Sequence, residues 1–212
     1  MRQLILLTPV ILALAVPGWA EVAPATPPEG VPVSAGESPP ADALPTEKPR
    51  KPAEVRAEQL DILFARLYTS KGNDTEGLVV KIWSLWSAND SPTAEVLLAQ
   101  AARAMSDGAP AEALKILDSV IGANPDFAEA WNKRATLYFL MKRDEASLRD
   151  IDKVLELEPR HFGALAGRGM IYQRQKKFGL ALDAYRGALR LNPGMEQVKE
   201  SIKEMEKLEQ GI

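Results

Sequence analysis

The sequence predicts an all-α protein, built as an α-solenoid of stacked helix–turn–helix units. The first observation is a recurring proline: Pro125, Pro159 and Pro193 lie 34 residues apart in each case. The second is that apolar residues between these prolines recur at the spacing of one helix face. The third is a set of small residues that returns in register with the prolines. A fixed period of this length is typical of supersecondary units that bury their apolar faces only by stacking.

Residues 1–20 have the pattern of a secretory signal peptide. Arg2 gives a positive start, residues 4–16 are mainly apolar, and Gly18 and Ala20 put small residues before a cleavage site. The apolar run is shorter than a typical membrane span, and an uncleaved N-terminal anchor is the alternative. The 212-residue chain has no cysteine, and an exported chain without disulfides fits the bacterial periplasm best. We therefore expect cleavage after Ala20 and export to the periplasm.

Residues 21–53 are dominated by proline, alanine, glycine and acidic residues. Such a segment has too few large apolar side chains to bury a core, so it is predicted to be a disordered linker with local polyproline II character. Its simplest role is a tether that holds the folded domain away from a membrane or translocon.

Residues 54–90 are predicted to form an N-terminal helical hairpin, a degenerate unit of the solenoid. The segment 70–74, SKGND, separates its two runs of helically spaced apolar residues. Ser91 followed by Pro92 marks the start of the next helix, because serine caps helices and proline is favoured as the first helical residue. Trp83 and Trp86 are expected to be core residues that pack onto the first repeat.

Three full units follow, at residues 94–127, 128–161 and 162–195. Each is predicted to be two antiparallel helices that cross at a small residue: Ala101, Ala135 and Gly169. The recurring proline is expected to stop one helix and to start the next, because it lacks an N–H and clashes inside a helix. Trp131 is expected to be buried between the helices of its own unit and the unit before it.

These units resemble the tetratricopeptide repeat family over about half the chain. The family pattern has aromatic residues near positions 4, 11 and 24, small residues at 8 and 20, and proline at 32. The second unit, AEAWNKRATLYFLMKRDEASLRDIDKVLELEP, fits apart from Ser147 and Ile151, and the third fits apart from Leu165. The first lacks the aromatic residues but keeps the small ones, Gly108 and the proline. The resemblance implies stacked helix pairs with a concave face that binds peptides.

Residues 196–210 are predicted to form a single capping helix. Its apolar stripe consists of Met195, Val198, Ile202, Met205 and Leu208, and Glu–Lys pairs occupy the opposite face. Such a helix covers the last apolar surface of the array and keeps it soluble.

The sequence contains no motif that points to catalysis, a cofactor or a metal. The net charge of −3 leaves no basic excess for nucleic-acid binding. His161, the single histidine, is expected to be exposed at an inter-repeat turn and inert. Asp150 and Asp152 are interpreted as a charged helix surface rather than as metal ligands. We therefore predict that the protein is not an enzyme and has no small-molecule substrate.

Two arginines occupy the seventh position of the second and third units. We expect structural ion pairs with acids of the same unit's second helix, Asp150 or Asp152 for Arg134 and Asp183 for Arg168. An anion site is the alternative. The basic residues at 142–143 and 175–177 are interpreted as solvated turns, with contact to anionic lipid headgroups as the minority hypothesis.

The resemblance also predicts a partner-binding groove along the first helix of each unit. Its residues are Leu98, Ala102, Met105, Glu129, Asn132, Lys133, Thr136, Phe139, Ala166, Met170 and Gln173. Some family members hold a C-terminal carboxylate with lysines and asparagines, but of the matching positions here only Lys133 is suitable. The clamp is therefore predicted to be absent, and the groove to be adaptable and partly apolar.

These observations together predict a non-enzymatic periplasmic module for protein–protein interaction, a scaffold or an assembly factor of the cell envelope. The alternative is a membrane-tethered, chaperone-like or lipid-surface factor, which requires an uncleaved N-terminus.

Overall fold

A computed structural model describes residues 50–70 and 73–209, although not the side chains of residues 73, 208 and 209. The predicted signal peptide and nearly all of the predicted linker lie outside the described residues. The described part is all-α and belongs to one compact unit, Lys48–Ile212, as predicted. Its helices are α1 Pro52–Thr69, α2 Asn73–Ser87, α3 Pro92–Ser106, α4 Pro110–Ala123, α5 Ala128–Leu140, α6 Asp144–Leu157, α7 Phe162–Arg174, α8 Phe178–Leu191 and α9 Glu196–Glu209.

The ends of these helices follow from their sequences. Ser91 caps α3 by accepting a hydrogen bond from the Ala94 N–H at 3.3 Å, and Pro92 is the first helical residue. The recurring prolines lie two residues beyond the ends of α4, α6 and α8, where they prevent the helix from continuing. The prediction that they also start the next helix is wrong, because α5 begins only at Ala128. The proline thus belongs to the turn.

The turn inside each repeat requires one residue with a left-handed backbone. Gly108, Lys142 and Lys176 occupy equivalent positions in the three repeats, with φ of 71°, 58° and 59°. Glycine adopts this conformation freely, whereas lysine does so at a cost. The basic turns are therefore geometrically constrained as well as solvated.

The two helices of a repeat cross at the predicted small residues. A side chain on Gly169 would come within 2.5 Å of the Tyr185 ring, so glycine is required at that crossing. The preceding repeat has Ala135 opposite Ile151 instead, and both are buried in one core cluster. A larger residue on the second helix is thus matched by a smaller one on the first, which keeps the interior close-packed.

Trp131 joins the first and second repeats, because it packs against the buried residues of both core clusters. It is partly buried rather than buried, which corrects the prediction. The Arg134 guanidinium lies 4.8 Å from its ring centroid, and its Nε1–H donates to the Pro125 carbonyl at 3.0 Å. The indole therefore packs between the two repeats, and its N–H edge remains near the surface.

The N-terminal hairpin, α1 and α2, does not pack onto the first repeat as expected. Its buried residues share one core with α7, α8 and α9, whereas α3 and α4 belong to a different core. Two ion pairs hold the first half and the middle of α1, Arg56 to Asp90 at 2.5 Å and Asp61 to Arg160 at 2.5 Å. In the same core, Val198 and Met205 of α9 are buried, so α9 covers the end of the array as predicted.

Candidate binding groove

The predicted groove residues lie on α3, α5 and α7, the first helices of the three repeats. We call the surface that they share the inner face. Four of the residues are buried, five are partly buried and two are exposed. The buried ones are Leu98, Glu129, Asn132 and Ala166; the partly buried ones are Ala102, Met105, Lys133, Phe139 and Gln173; the exposed ones are Thr136 and Met170.

The α1–α2 hairpin covers the inner face where α5 and α7 begin. The Trp86 indole stacks on the His161 imidazole, with ring centroids 4.1 Å apart and an interplanar angle of 14°. Trp83 packs edge-on against both His161 and Phe162, at 5.3 and 5.7 Å. The backbone of Gly163 lies so close that an added Cβ would be 2.7 Å from Trp83. Trp86 is a core residue as predicted, whereas Trp83 is partly buried against the same core. Both contact the third repeat and not the first, which corrects the prediction.

A polar network lies buried beneath the tryptophans. The Glu129 carboxylate is fully buried. Its Oε2 accepts a hydrogen bond from Asn132 Nδ2 at 3.0 Å, and its Oε1 forms an ion pair with Lys133 Nζ at 3.1 Å. His161 Nε2 lies 3.2 Å from Glu129 Oε2. Its Nδ1 accepts a hydrogen bond from the Ala164 N–H at 3.0 Å, so the ring proton is on Nε2 and is donated to Glu129. The expectation of an exposed, inert histidine is therefore wrong: His161 caps α7 and links two repeats.

The charge of Glu129 is retained despite its burial. Desolvation raises the pKa of a buried carboxyl group, but the positive charge of Lys133 and the hydrogen bond from His161 outweigh it. The net effect lowers the pKa of Glu129 below its usual value. The cluster therefore holds an ionised carboxylate whose partners compensate for the lost water.

The remaining part of the inner face, toward the ends of α5 and α7, is open. Met170 has 44% of its surface exposed, and Thr136, at the equivalent position of the second repeat, is exposed as well. Phe139 packs against the core of the second repeat and carries the Arg174 guanidinium 4.0 Å from its ring centroid. Gln173 accepts a hydrogen bond from the Tyr185 hydroxyl at 2.7 Å, which fixes its amide. The open half thus combines an exposed thioether with a cation held on an aromatic ring.

The inner face of the first repeat is less accessible. Leu98 belongs to the core of that repeat, and Met105 packs against it. These two side chains therefore stabilise the repeat itself, whereas Met170 at the other end of the face remains available.

The two seventh-position arginines both form ion pairs, although not with the same kind of partner. Arg134 binds Asp150 of its own repeat through Nε and Nη2, at 2.8 and 2.9 Å, as predicted. It also reaches Asp118 of the preceding repeat at 2.7 Å. These hydrogen bonds raise the pKa of Arg134. Arg168 pairs with Asp152 of the preceding repeat at 2.5 Å instead of with Asp183, so that prediction is wrong.

The described residues contain no cluster of three or more potential metal ligands. No helix among them is both long enough and apolar enough to cross a membrane.

The docked hairpin and the buried Glu129–His161 pair are the features that sequence reasoning missed. Gly163 was one available signal, since it replaces Glu129 at the second position of its repeat and so leaves room for a ring. A second signal was the pair of tryptophans at helical spacing, which needed a large apolar surface to cover.

Comparisons with known proteins agree with this architecture. The sequence matches the tetratricopeptide repeat family over residues 96–150 and 145–196. A TPR repeat-containing protein of Rhizobium etli is 35% identical over 146 residues, which cover 68% of this chain and 72% of that protein. DnaJ homolog subfamily C member 3 of Gallus gallus is 33% identical over 97 residues, which cover 46% of this chain but only 19% of that protein.

Solved structures show the same fold at low identity. The first TPR of Spaghetti (RPAP3), bound to the HSP90 peptide SRMEEVD, superposes with a TM-score of 0.54 at 22% identity, covering 56% of this chain and 94% of that chain. MamA gives a TM-score of 0.52 at 18% identity, covering 67% of this chain and 86% of that chain.

Proposed function

Because the chain belongs to the tetratricopeptide repeat family, we propose that it is a non-enzymatic module that binds a segment of another protein on its inner face. Proteins of this family generally act as interaction modules. The observation that carries the proposal is the division of the inner face: α1–α2 cover one half, and the other half exposes Met170. An exposed apolar side chain on a rigid scaffold is a common feature of binding surfaces.

The covered half of the inner face supports the proposal, because a segment of the same chain already packs on it. An apolar helical hairpin packs there through two indole rings against His161 and Phe162. A helix or an extended segment with apolar anchors is therefore a suitable occupant of the adjoining open half.

The partner differs from the acidic peptide in the RPAP3 complex. A clamp for a terminal carboxylate needs free cations, but Lys133 is engaged by Glu129 at 3.1 Å. The open half offers instead Met170, the Phe139 ring and the Arg174 guanidinium. Arg174 is itself paired with Asp144. We therefore expect a mainly apolar segment without a strict requirement for a free C-terminus.

We further propose that the chain is exported to the bacterial periplasm and acts there as a scaffold or an assembly factor. This rests on residues 1–20, which lie outside the described residues. Intact-mass measurement of the protein recovered from cells tests it. A mature chain that begins at Glu21 supports the proposal, whereas retention of residues 1–20 in the membrane fraction supports the tethered alternative.

The groove is tested by site-specific photo-crosslinking in cells, with the crosslinker at Met170 or, as a control, at Val80. Val80 is also exposed, at 65%, but lies on α2. Crosslinks to a defined partner segment from position 170 and not from position 80 support the proposal. Met170→Glu should then weaken binding of that synthetic segment at least tenfold, which is about 1.4 kcal/mol, without changing stability. Equal binding by Met170→Glu and wild type would refute the assignment of the open half.

A further inference from the structure

A cleft of about 560 Å³ lies between α7 and α8, on a different face of α7 from Met170. This volume is in the usual range for small-ligand sites. Leucines and a tyrosine form much of its wall, and two arginines and an aspartate provide its charges. Its lining residues include Pro159, Leu165, Arg168, Ala184, Gly187 and Arg190.

The cleft arises from three truncated side chains in the third repeat. At the equivalent positions 34 residues earlier, the second repeat has Trp131, Asp150 and Lys153, where the third has Leu165, Ala184 and Gly187. The replacements remove an indole ring, a carboxylate and an aliphatic chain from one place. One position changes from a small to a large side chain: Leu180 of the third repeat replaces Ala146 of the second and forms an outer wall of the cleft.

The second repeat shows what occupies the same place when it is filled. The Trp131 ring lies 4.8 Å from the Arg134 guanidinium carbon, and its Nε1–H donates to the carbonyl of Pro125 at 3.0 Å. The Asp150 carboxylate binds Arg134 Nε and Nη2 at 2.8 and 2.9 Å. An aromatic ring and a bidentate carboxylate therefore complete the surroundings of the arginine.

The equivalent arginine of the third repeat lacks both groups. Arg168 is held by Asp152 through Nη2 alone, at 2.5 Å. Its Nε is buried and has no hydrogen-bond partner among the described residues. A buried donor without a partner is costly, and a charged one especially so. In the second repeat the corresponding partner is the Asp150 carboxylate, whereas the third repeat has Ala184 at that position.

We propose that this cleft binds an aromatic carboxylate, with its ring in the space that Trp131 fills in the second repeat. The carboxylate pairs with Arg168 where Asp150 pairs with Arg134. Pro159 lines the cleft and is equivalent to Pro125, whose carbonyl accepts the Trp131 N–H, which favours an indole. Arg190 also lines the cleft and adds a second guanidinium near the site of the carboxylate.

Two sources can supply this chemistry: a free aromatic acid, or the C-terminal residue of a polypeptide that ends in tryptophan. The experiment is isothermal titration of the full chain with indole-3-acetate and with the peptide Gly-Gly-Trp. Matched controls are indole-3-acetamide, the peptide amide and acetate. We expect both acids to bind and each amide to bind at least about tenfold more weakly. The tighter of the two acids identifies the source.

Two variants locate the site. Ala184→Asp supplies the carboxylate internally, as the second repeat does, so it should fold and should lose binding of both acids at least about tenfold. Arg168→Gln should lose binding as well, whereas Arg134→Gln should retain it. The proposal is overturned if neither acid binds at about 1 mM, if the amides bind as well as the acids, or if Ala184→Asp binds like the wild type.

Discussion

The docking of the hairpin is best tested by adding one methyl group to Gly163. This residue is the second of α7, and a Cβ there would lie 2.7 Å from Trp83 Cη2 and 2.9 Å from Cζ2. Carbon atoms normally approach to about 3.5–4.0 Å. The indole would therefore have to shift by about 1 Å, but His161 and Phe162 pack against it and restrict that movement.

The sign of the effect distinguishes a docked hairpin from an undocked one. Replacing glycine by alanine in a helix stabilises by up to about 1 kcal/mol, whereas overpacking a core contact costs about 1–3 kcal/mol. We expect Gly163→Ala to lower the free energy of unfolding by about 1–2 kcal/mol. Gly179→Ala is the matched control, because it is the second residue of α8 and its Cβ would meet nothing within 4 Å. It should be neutral or stabilising.

The measurement is urea unfolding, followed by far-UV circular dichroism for the helices and by tryptophan fluorescence for the hairpin. If Gly163→Ala stabilises the protein as much as Gly179→Ala, Trp83 does not lie on α7 and the covered half of the inner face is misassigned. Hydrogen exchange adds a direct readout, because Gly163→Ala should accelerate exchange in α2 more than in α4.

Three other predictions follow from the same structure. Trp131→Ala should lower the free energy of unfolding in urea by about 2–3 kcal/mol, less than for a fully buried aromatic residue. A loss below about 1 kcal/mol would contradict the position of Trp131 between the two repeats. The lowered pKa of Glu129 stabilises the folded state above the unfolded pKa of this carboxyl group, and that stabilisation is lost as the pH falls through its folded pKa. The free energy of unfolding should therefore decline below pH 4.5 less steeply in Glu129→Gln than in the wild type. An identical pH dependence in the two proteins would refute the ionised state. Burial raises the pKa of Tyr185 to about 12, so Tyr185→Phe should reduce the loss of stability between pH 10 and 12, provided that circular dichroism shows the variant to be folded.

The repeats were predictable because their determinants are local and periodic. The crossing residues Ala135 and Gly169 lie in the sequence at the family spacing, and the ion pair of Arg134 with Asp150 follows from the helix register. Errors appeared where one repeat departs from another. Arg168 has no acid equivalent to Asp150 in its own repeat, and it forms an ion pair with Asp152 of the preceding repeat instead.

The inner face was predictable only as a set of positions. Glu129 and Met170 both occupy groove positions of the family, yet one is fully buried and the other is exposed. The position of a residue within a repeat predicts on which face of the array its side chain lies. It does not predict whether another part of the chain covers that face. The burial of His161 has the same origin, since Trp86 covers a turn that would otherwise be open.

The sequence by itself determined the all-α class, the repeat of 34 residues and the capping helix, because helix propensity, capping and apolar period act over neighbouring residues. Only the tertiary structure decided where the N-terminal hairpin packs. Its ion pair between Asp61 and Arg160 joins residues 99 apart, and no period in the sequence relates them. The apolar pattern of the hairpin predicts that it packs against the array, but not against which repeat. The choice of the third repeat depends on the fit of Trp83 against Gly163, which exists only once the helices are stacked.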